Sequence, residues 1–323
     1  MEEGCSLPTT NLRQFLFFNK AFKLISHVEL NMKNITAISP YEFFNQNFHT
    51  VVFAGGGNRC WWQAGVVNLL EEHSCWRPKR LIGVSAGAAI ATAYATGRIP
   101  EALQSAVKHF SETRQNIVWS DLLKGKRPFV LPRIYPEWIK SFLKAADLKN
   151  LKNTDLKLDV AITRPIKHLP VTVSTLIALA LYSTEKFWLK TFHGRLPHLV
   201  GLRPEYHDLT GCNSLEDAHS LLLASAAAVP ITPTHMVDGR PALDGGFYDN
   251  VPIPQSREED TNTLVLLTRH RPELPQAFYL EGRIYFQPSR AVDATNMDCT
   301  SSMNVQNTFN QGSEDLKEWL NRA

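Results

Sequence analysis

The chain has 323 residues, 44% of them hydrophobic and 20% charged, with Lys+Arg 34 against Asp+Glu 31. These proportions exclude a disordered, collagen-like or disulfide-scaffold chain, and a net charge of +3 gives no basis for a dedicated nucleic-acid binder. The length suits one large α/β domain or two small ones.

In chain order, Met1 to Ser6 is acidic and lacks a basic stretch followed by an apolar run, so no secretory signal is expected. Residues 1–48 read as an extension ahead of the main domain, which is taken as 49–323. Within the extension Phe15, Phe18, Phe22 and Ile25 recur at helical spacing among Arg13, Lys20 and Lys23. A helix capping a core edge is favoured there over one lying on anionic lipid. The apolar stretches Phe15–Ile25 and Val171–Tyr182 fall short of the roughly 20 residues that span a bilayer. A cytoplasmic protein, at most peripheral on membranes, is the expectation. Five cysteines (Cys5, Cys60, Cys75, Cys212, Cys299) are scattered with no CxxC and no zinc spacing, which suits reduced thiols.

From residue 50 a strand–helix rhythm begins. Thr50–Ala54 is a β-rich run, Trp61–Glu72 a helix, Arg80–Val84 a second apolar strand, and Ala86–Thr96 an alanine-rich helix closed by Gly97. Strand–helix–strand at this length makes two parallel neighbours joined by a right-handed crossover. Lys157–Thr163 alternates as a strand, and Val171–Thr191 is a long apolar helix whose Leu176–Leu181 stretch is assigned to core packing rather than to an acyl groove or lipid. Ser214 with Asp217 forms a capping box for a helix to about Ala226. His235–Val237 and Pro241–Leu243 form a hairpin about Asp238-Gly239. Thr263–Thr268 is another strand, and Ser313 is placed as the cap of a final helix. One α/β domain with three layers, α/β/α, about a central and mostly parallel sheet accounts for this order.

Three segments carry chemistry. Gly83-Val84-Ser85-Ala86-Gly87 is a GxSxG, in which Ser85 would occupy a strained strand-to-helix turn while Gly83 and Gly87 let strand and helix close together. The pattern alone arises by chance in roughly one chain in ten of this length. The apolar strand before it and the helix starting at Ala86 are what an elbow requires. Gly55-Gly56-Gly57-Asn58-Arg59-Cys60 follows the first strand with exposed backbone N–H groups, suited to a phosphate or to an oxyanion. No Walker Lys-Ser/Thr follows, and Cys60 occupies the last glycine of a dinucleotide spacing, so the oxyanion reading is preferred. Asp244-Gly245-Gly246 ends the hairpin with a carboxylate that has little steric bulk after it; by itself it is indistinguishable from a surface turn.

Taken in order, GGGxR, GxSxG and DGG resemble the patatin-like phospholipase family. Leu223–Pro230, Asp249-Asn250-Val251-Pro252 and Gln287-Pro288-Ser289-Arg290 are similar to further segments of it, so the resemblance runs over about 49–320. It implies an α/β/α lipid acyl hydrolase with a Ser–Asp dyad, using neither metal nor organic cofactor and acting on a lipid or membrane-surface substrate. Carried over, Ser85 is the nucleophile and Asp244 its base. Gly55, Gly56, Gly57, Asn58 and Arg59 make the oxyanion loop, with the Gly56 and Gly57 N–H groups as donors, Asn58 as a third, and Arg59 as support. Cys60 departs from the glycine usual in the family. Of the 11 histidines only His270 follows Asp244, as the order of an α/β-hydrolase triad demands, and it stands as the minor alternative. A catalytically silent lipid-binding protein on the same fold, and an effector switched on by a partner, are the other readings weighed.

Overall fold

A computed structural model describes residues 35–73, 76–186, 191–194, 196–254, 260 and 262–322. The aromatic helix expected at 15–25, together with Cys5 and Cys75, lies outside the described residues. The chain opens with strand β1 (Thr36–Ala37), helix α1 (Pro40–Phe44), β2 (Thr50–Phe53), α2 (Trp61–His73), β3 (Arg80–Val84) and α3 (Ala86–Ala95). Helices α4 (Ile99–Glu112), α5 (Leu131–Phe142) and α6 (Ala145–Lys152) lead to β4 (Lys157–Arg164), α7 (Val171–Thr184), β5 (Arg203–Asp208) and α8 (Leu215–Ser225). The remainder is β6 (His235–Val237), β7 (Arg240–Asp244), β8 (Thr263–Leu266), β9 (Ala277–Leu280), β10 (Arg283–Phe286) and α9 (Ser302–Leu320).

The strands form one sheet in the order β1-β9-β10-β8-β2-β3-β4-β7-β6, with β5 on the other edge of β4. Its five central strands, β10-β8-β2-β3-β4, are parallel, as the strand–helix rhythm predicts. Alternate residues of a strand face opposite sides of a sheet, and both sides here are apolar. Val51, Phe53, Leu81 and Val160 pack with α2, α3, α4, α5, α8 and α9 in the larger core. Val52, Ile82, Val265 and Tyr285 face a smaller one with Phe192, Val251 and Leu274. Packing begins ahead of residue 49: Thr36–Ala37 pairs with β9, and Phe43 and Phe48 are buried in the larger core.

Local signals mark several boundaries. Ser214 and Asp217 cap each other at the start of α8. Asp238 (φ 51°) and Gly239 (φ 70°) make the two-residue turn between β6 and β7. Two expectations are corrected. The final helix starts after Ser301, not Ser313; the Ser313 hydroxyl lies within it and donates to Gly65 O of α2 (3.0 Å), where the two helices pack. In α7, Leu176 is 61% exposed while Ser174, Thr175 and Ala178 are buried, so the leucine stretch is not core. Among the described residues no helix is long and apolar enough to cross a membrane.

Candidate active site

The sheet itself brings the two segments together. β5 pairs along Asp159–Arg164 of β4, so β3 and β7 share the opposite edge. β3 ends with Val84 opposite Ala161, and β7 enters antiparallel and ends with Asp244 opposite Ile162. Two strand ends therefore meet head to head beside β4. Ser85 and Asp244, 159 positions apart, lie across that junction, and the Ser85 hydroxyl donates to Asp244 Oδ2 at 2.7 Å.

Ser85 has φ 55° and ψ −134°, a conformation that costs a non-glycine residue about 1–3 kcal/mol. It is held there from outside: its N–H donates to Ser225 Oγ at 2.8 Å, and Ser225 Oγ donates in turn to Ala161 O at 2.6 Å. A methyl group at Gly87 would stand 2.6 Å from the Ala54 and Phe53 carbonyls, and one at Gly83 2.5 Å from Ala88 Cα, so neither position admits a side chain. Ser85 precedes the first turn of α3, whose dipole places partial positive charge beside it.

Asp244 accepts from Gly246 N–H through Oδ1 (2.7 Å) and from Ser85 through Oδ2. Burial raises its carboxyl from 3.8 to about 6, against the opposing pull of those two hydrogen bonds. A hydroxyl directly bonded to so basic a carboxylate can pass it a proton without an intervening imidazole. Neither Ser85 nor Asp244 bonds to a histidine among the described residues. His270 Nδ1 is bonded instead to Pro288 O (2.9 Å), and His235, on the cleft wall, is pushed towards the neutral form by burial.

The glycine loop is fixed by its neighbours. Asn250 Nδ2 and Thr268 Oγ1 each donate to Gly55 O at 2.8 Å, and Gly55 N–H donates to Asn250 O at 2.9 Å. Asn58 N–H is committed to Asn296 O (3.1 Å) and Arg59 N–H to Gly56 O (3.3 Å). Of the three expected donors Asn58 is therefore taken, as are the N–H groups of Gly55 and Arg59 elsewhere in the loop, while those of Gly56 and Gly57 have no partner among the described residues. Gly57 has φ 57°, and a Cβ there would collide with the Asn296 carbonyl. The expected support from the Arg59 side chain does not extend to its Nε, which is buried without a hydrogen-bond partner among the described residues. Cys60 is buried with its thiol on Ala54 O (3.5 Å) and raised by burial to about 12, so it stays a thiol.

Ser85, Asp244, Gly57 and Asn58 open into a cleft of about 1010 Å³ including its open mouth. Its walls are mostly apolar and include Ile90, Phe110, Ile134, Trp138 and Leu223. That shape suits a hydrocarbon tail with one polar end. Ser225, Thr268 and Asn296 carry no individual signal in the sequence; Ser225 and Asn250 lie within segments that resemble the family only as whole stretches. Gln287-Pro288-Ser289-Arg290 is structural, since Gln287 spans the Arg271, Leu274 and Pro275 carbonyls and Ser289 bonds Asp315.

Residues 51–256 match the family model described as Patatin-like phospholipase. The crystal structure of VipD from Legionella pneumophila is similar at 12% identity, over 89% of this chain and 69% of that chain, with a TM-score of 0.45. No curated protein matches.

Proposed function

The chain belongs to the patatin-like phospholipase family, a family of lipid acyl hydrolases, and on that premise we propose that Ser85 and Asp244 are its catalytic dyad for the hydrolysis of fatty acyl esters. The observation carrying this reading is the 2.7 Å hydrogen bond from the Ser85 hydroxyl to Asp244 Oδ2 at the head of an apolar cleft. Ser85 Oγ attacks the ester carbonyl as its proton moves to Asp244. The oxyanion that forms is met by the Gly56 and Gly57 N–H groups, each donor contributing about 3–4 kcal/mol to lowering the barrier. Collapse of the tetrahedral species expels the alcohol, which takes the proton from Asp244, and leaves an acyl group on Ser85. Water then attacks the acyl carbonyl, giving its proton to Asp244, and the fatty acid departs as that proton returns to Ser85.

A mass-spectrometric lipid panel comparing the native chain with Ser85→Ala tests the assignment. Free fatty acid should accumulate with the native chain alone, on phospholipid or neutral ester substrates. Equal release by the variant would overturn it. Vesicle binding without release by either chain would identify a silent lipid-binding protein.

A further inference from the structure

Residues 116–130 form a projecting turn beside the cleft. Ile117 bridges Phe129, Val118 N–H donates to Pro128 O (2.7 Å), and Lys126 N–H returns to Asp121 O (2.9 Å). Asp121 is bound by Arg133 of α5, which fixes the base of the turn. The tip carries Trp119, Leu122 and Leu123, exposed to 68%, 53% and 92%. None of the three belongs to either core. A single exposed leucine is ordinary, but three large apolar side chains exposed within five residues of one hydrogen-bonded turn call for a covering surface. Lys124, Lys126 and Arg127 follow immediately and are also exposed. Lys124 and Lys126 make no ion pair among the described residues, and the neighbouring carboxylate, Asp121, is already neutralised by Arg133.

The base of the turn adjoins the cleft. Arg127 Nε donates to Pro230 O (3.3 Å), close in sequence to the wall residues Thr232 and Pro233. Asn116 Nδ2 donates to Asp298 Oδ1 (3.0 Å), next to Met297, which lines the same cleft. The segment ends at Leu131 and Pro132, themselves cleft residues.

We infer that the 119–127 turn docks the molecule on an anionic lipid bilayer, inserting Trp119, Leu122 and Leu123 among the acyl chains while Lys124, Lys126 and Arg127 meet the head groups. Exposed apolar side chains followed directly by exposed cations match the two attractions that such a surface offers, burial in the acyl boundary and charge at the head-group plane. A protein partner would have to present apolar and acidic groups in the same arrangement; the bilayer presents both without further assumption.

Docking is independent of turnover, so flotation is run with the Ser85→Ala chain on vesicles of phosphatidylcholine, alone or mixed with phosphatidylserine. Binding should need the anionic lipid and weaken with salt. Lys124→Gln with Lys126→Gln should reduce partitioning roughly 25-fold. Leu122→Ser with Leu123→Ser should reduce it roughly 100-fold. Quenching by brominated lipid should be present in the parent chain and smaller in Trp119→Phe. In the Ser85 background the pairs should keep native turnover of a soluble short-chain ester and native circular dichroism. Where a pair does not fold, Leu123→Ser, at the most exposed position, carries the same comparison. Parent chains that ignore anionic vesicles, or variants that bind as the parent does, would overturn the inference, the first pointing to a protein contact instead.

Discussion

Ser225 Oγ links two backbone groups that no strand connects, accepting from Ser85 N–H at 2.8 Å and donating to Ala161 O at 2.6 Å. It ties the strand-to-helix turn at Ser85 to β4 just where β3 gives way to β7. Ser225→Ala leaves both groups unpartnered in a buried setting, which costs about 1–3 kcal/mol. Chemical denaturation should read that loss. Steady-state kinetics on a soluble ester should show kcat down by about tenfold with KM unchanged, because the elbow loses its orientation while the cleft stays intact. A KM effect without a kcat effect would make Ser225 a packing residue only.

In the proposed dyad the Asp244 carboxyl would set the pH dependence. A base must be ionised to accept the Ser85 proton, and burial lifts this one to about 6. For a neutral ester, kcat/KM should rise with pH through a midpoint near 6 and then level off, and it should fall away below. The folded-state value lies above the unfolded one, so this group's contribution to stability is full in acid and is lost as pH rises through about 6. Asp244→Asn should remove that titration and lower kcat about 10²–10⁴-fold. A profile with its midpoint near the ordinary carboxylate range would contradict the desolvated base.

Much of this site could be read from local sequence because its parts are local. The elbow needs only a strand, Gly83, Ser85, Gly87 and a helix, all within a few residues. The β6–β7 turn rests on Asp238-Gly239, and the start of α8 on the mutual capping of Ser214 and Asp217. What escaped is long-range or disguised. Asn58 loses its N–H to Asn296, and nothing in residues 55–60 anticipates a partner so distant. The β9–β10 hairpin turns on Glu281 (φ 51°) and Gly282 (φ 86°), where glutamate hides the usual Asn or Asp signal. Helix α5 carries Pro136 within it, a breaker that masks its periodicity in the sequence, although its Ile134 and Trp138 line the cleft. In α9 the polar run Ser302–Asn310 hides the buried Val305 and Thr308, which moved the expected cap to Ser313.

Backbone strain at Ser85 is open to a direct comparison. Alanine is normally the more stabilising of alanine and glycine, by about 0.5–1 kcal/mol in an ordinary conformation. At φ 55°, ψ −134° that order should invert, because glycine relieves a penalty that alanine keeps. Both replacements delete the hydroxyl and its bond to Asp244, so that loss cancels between them. Ser85→Gly should unfold at higher denaturant than Ser85→Ala by an amount equivalent to about 1 kcal/mol. The reverse order would mean an unstrained elbow.

Histidine replacement separates a dyad from a triad. His270, the one histidine after Asp244 in the chain, has Nδ1 on Pro288 O, and His235 stands on the cleft wall without a hydrogen bond to Ser85 or Asp244. His270→Ala should leave kcat within about threefold of native, whereas removal of a general base costs about 10²–10⁴-fold. His235→Ala alters a wall of the cleft proposed for the acyl chain, so its effect should fall on KM and on chain-length preference, with kcat for a short ester within about tenfold. Both variants assayed on one short and one long ester are sufficient. A drop of three orders of magnitude in kcat for either would give Ser85 an imidazole base and demote Asp244 to an orienting role; small changes in both leave the carboxylate as the group that takes the proton.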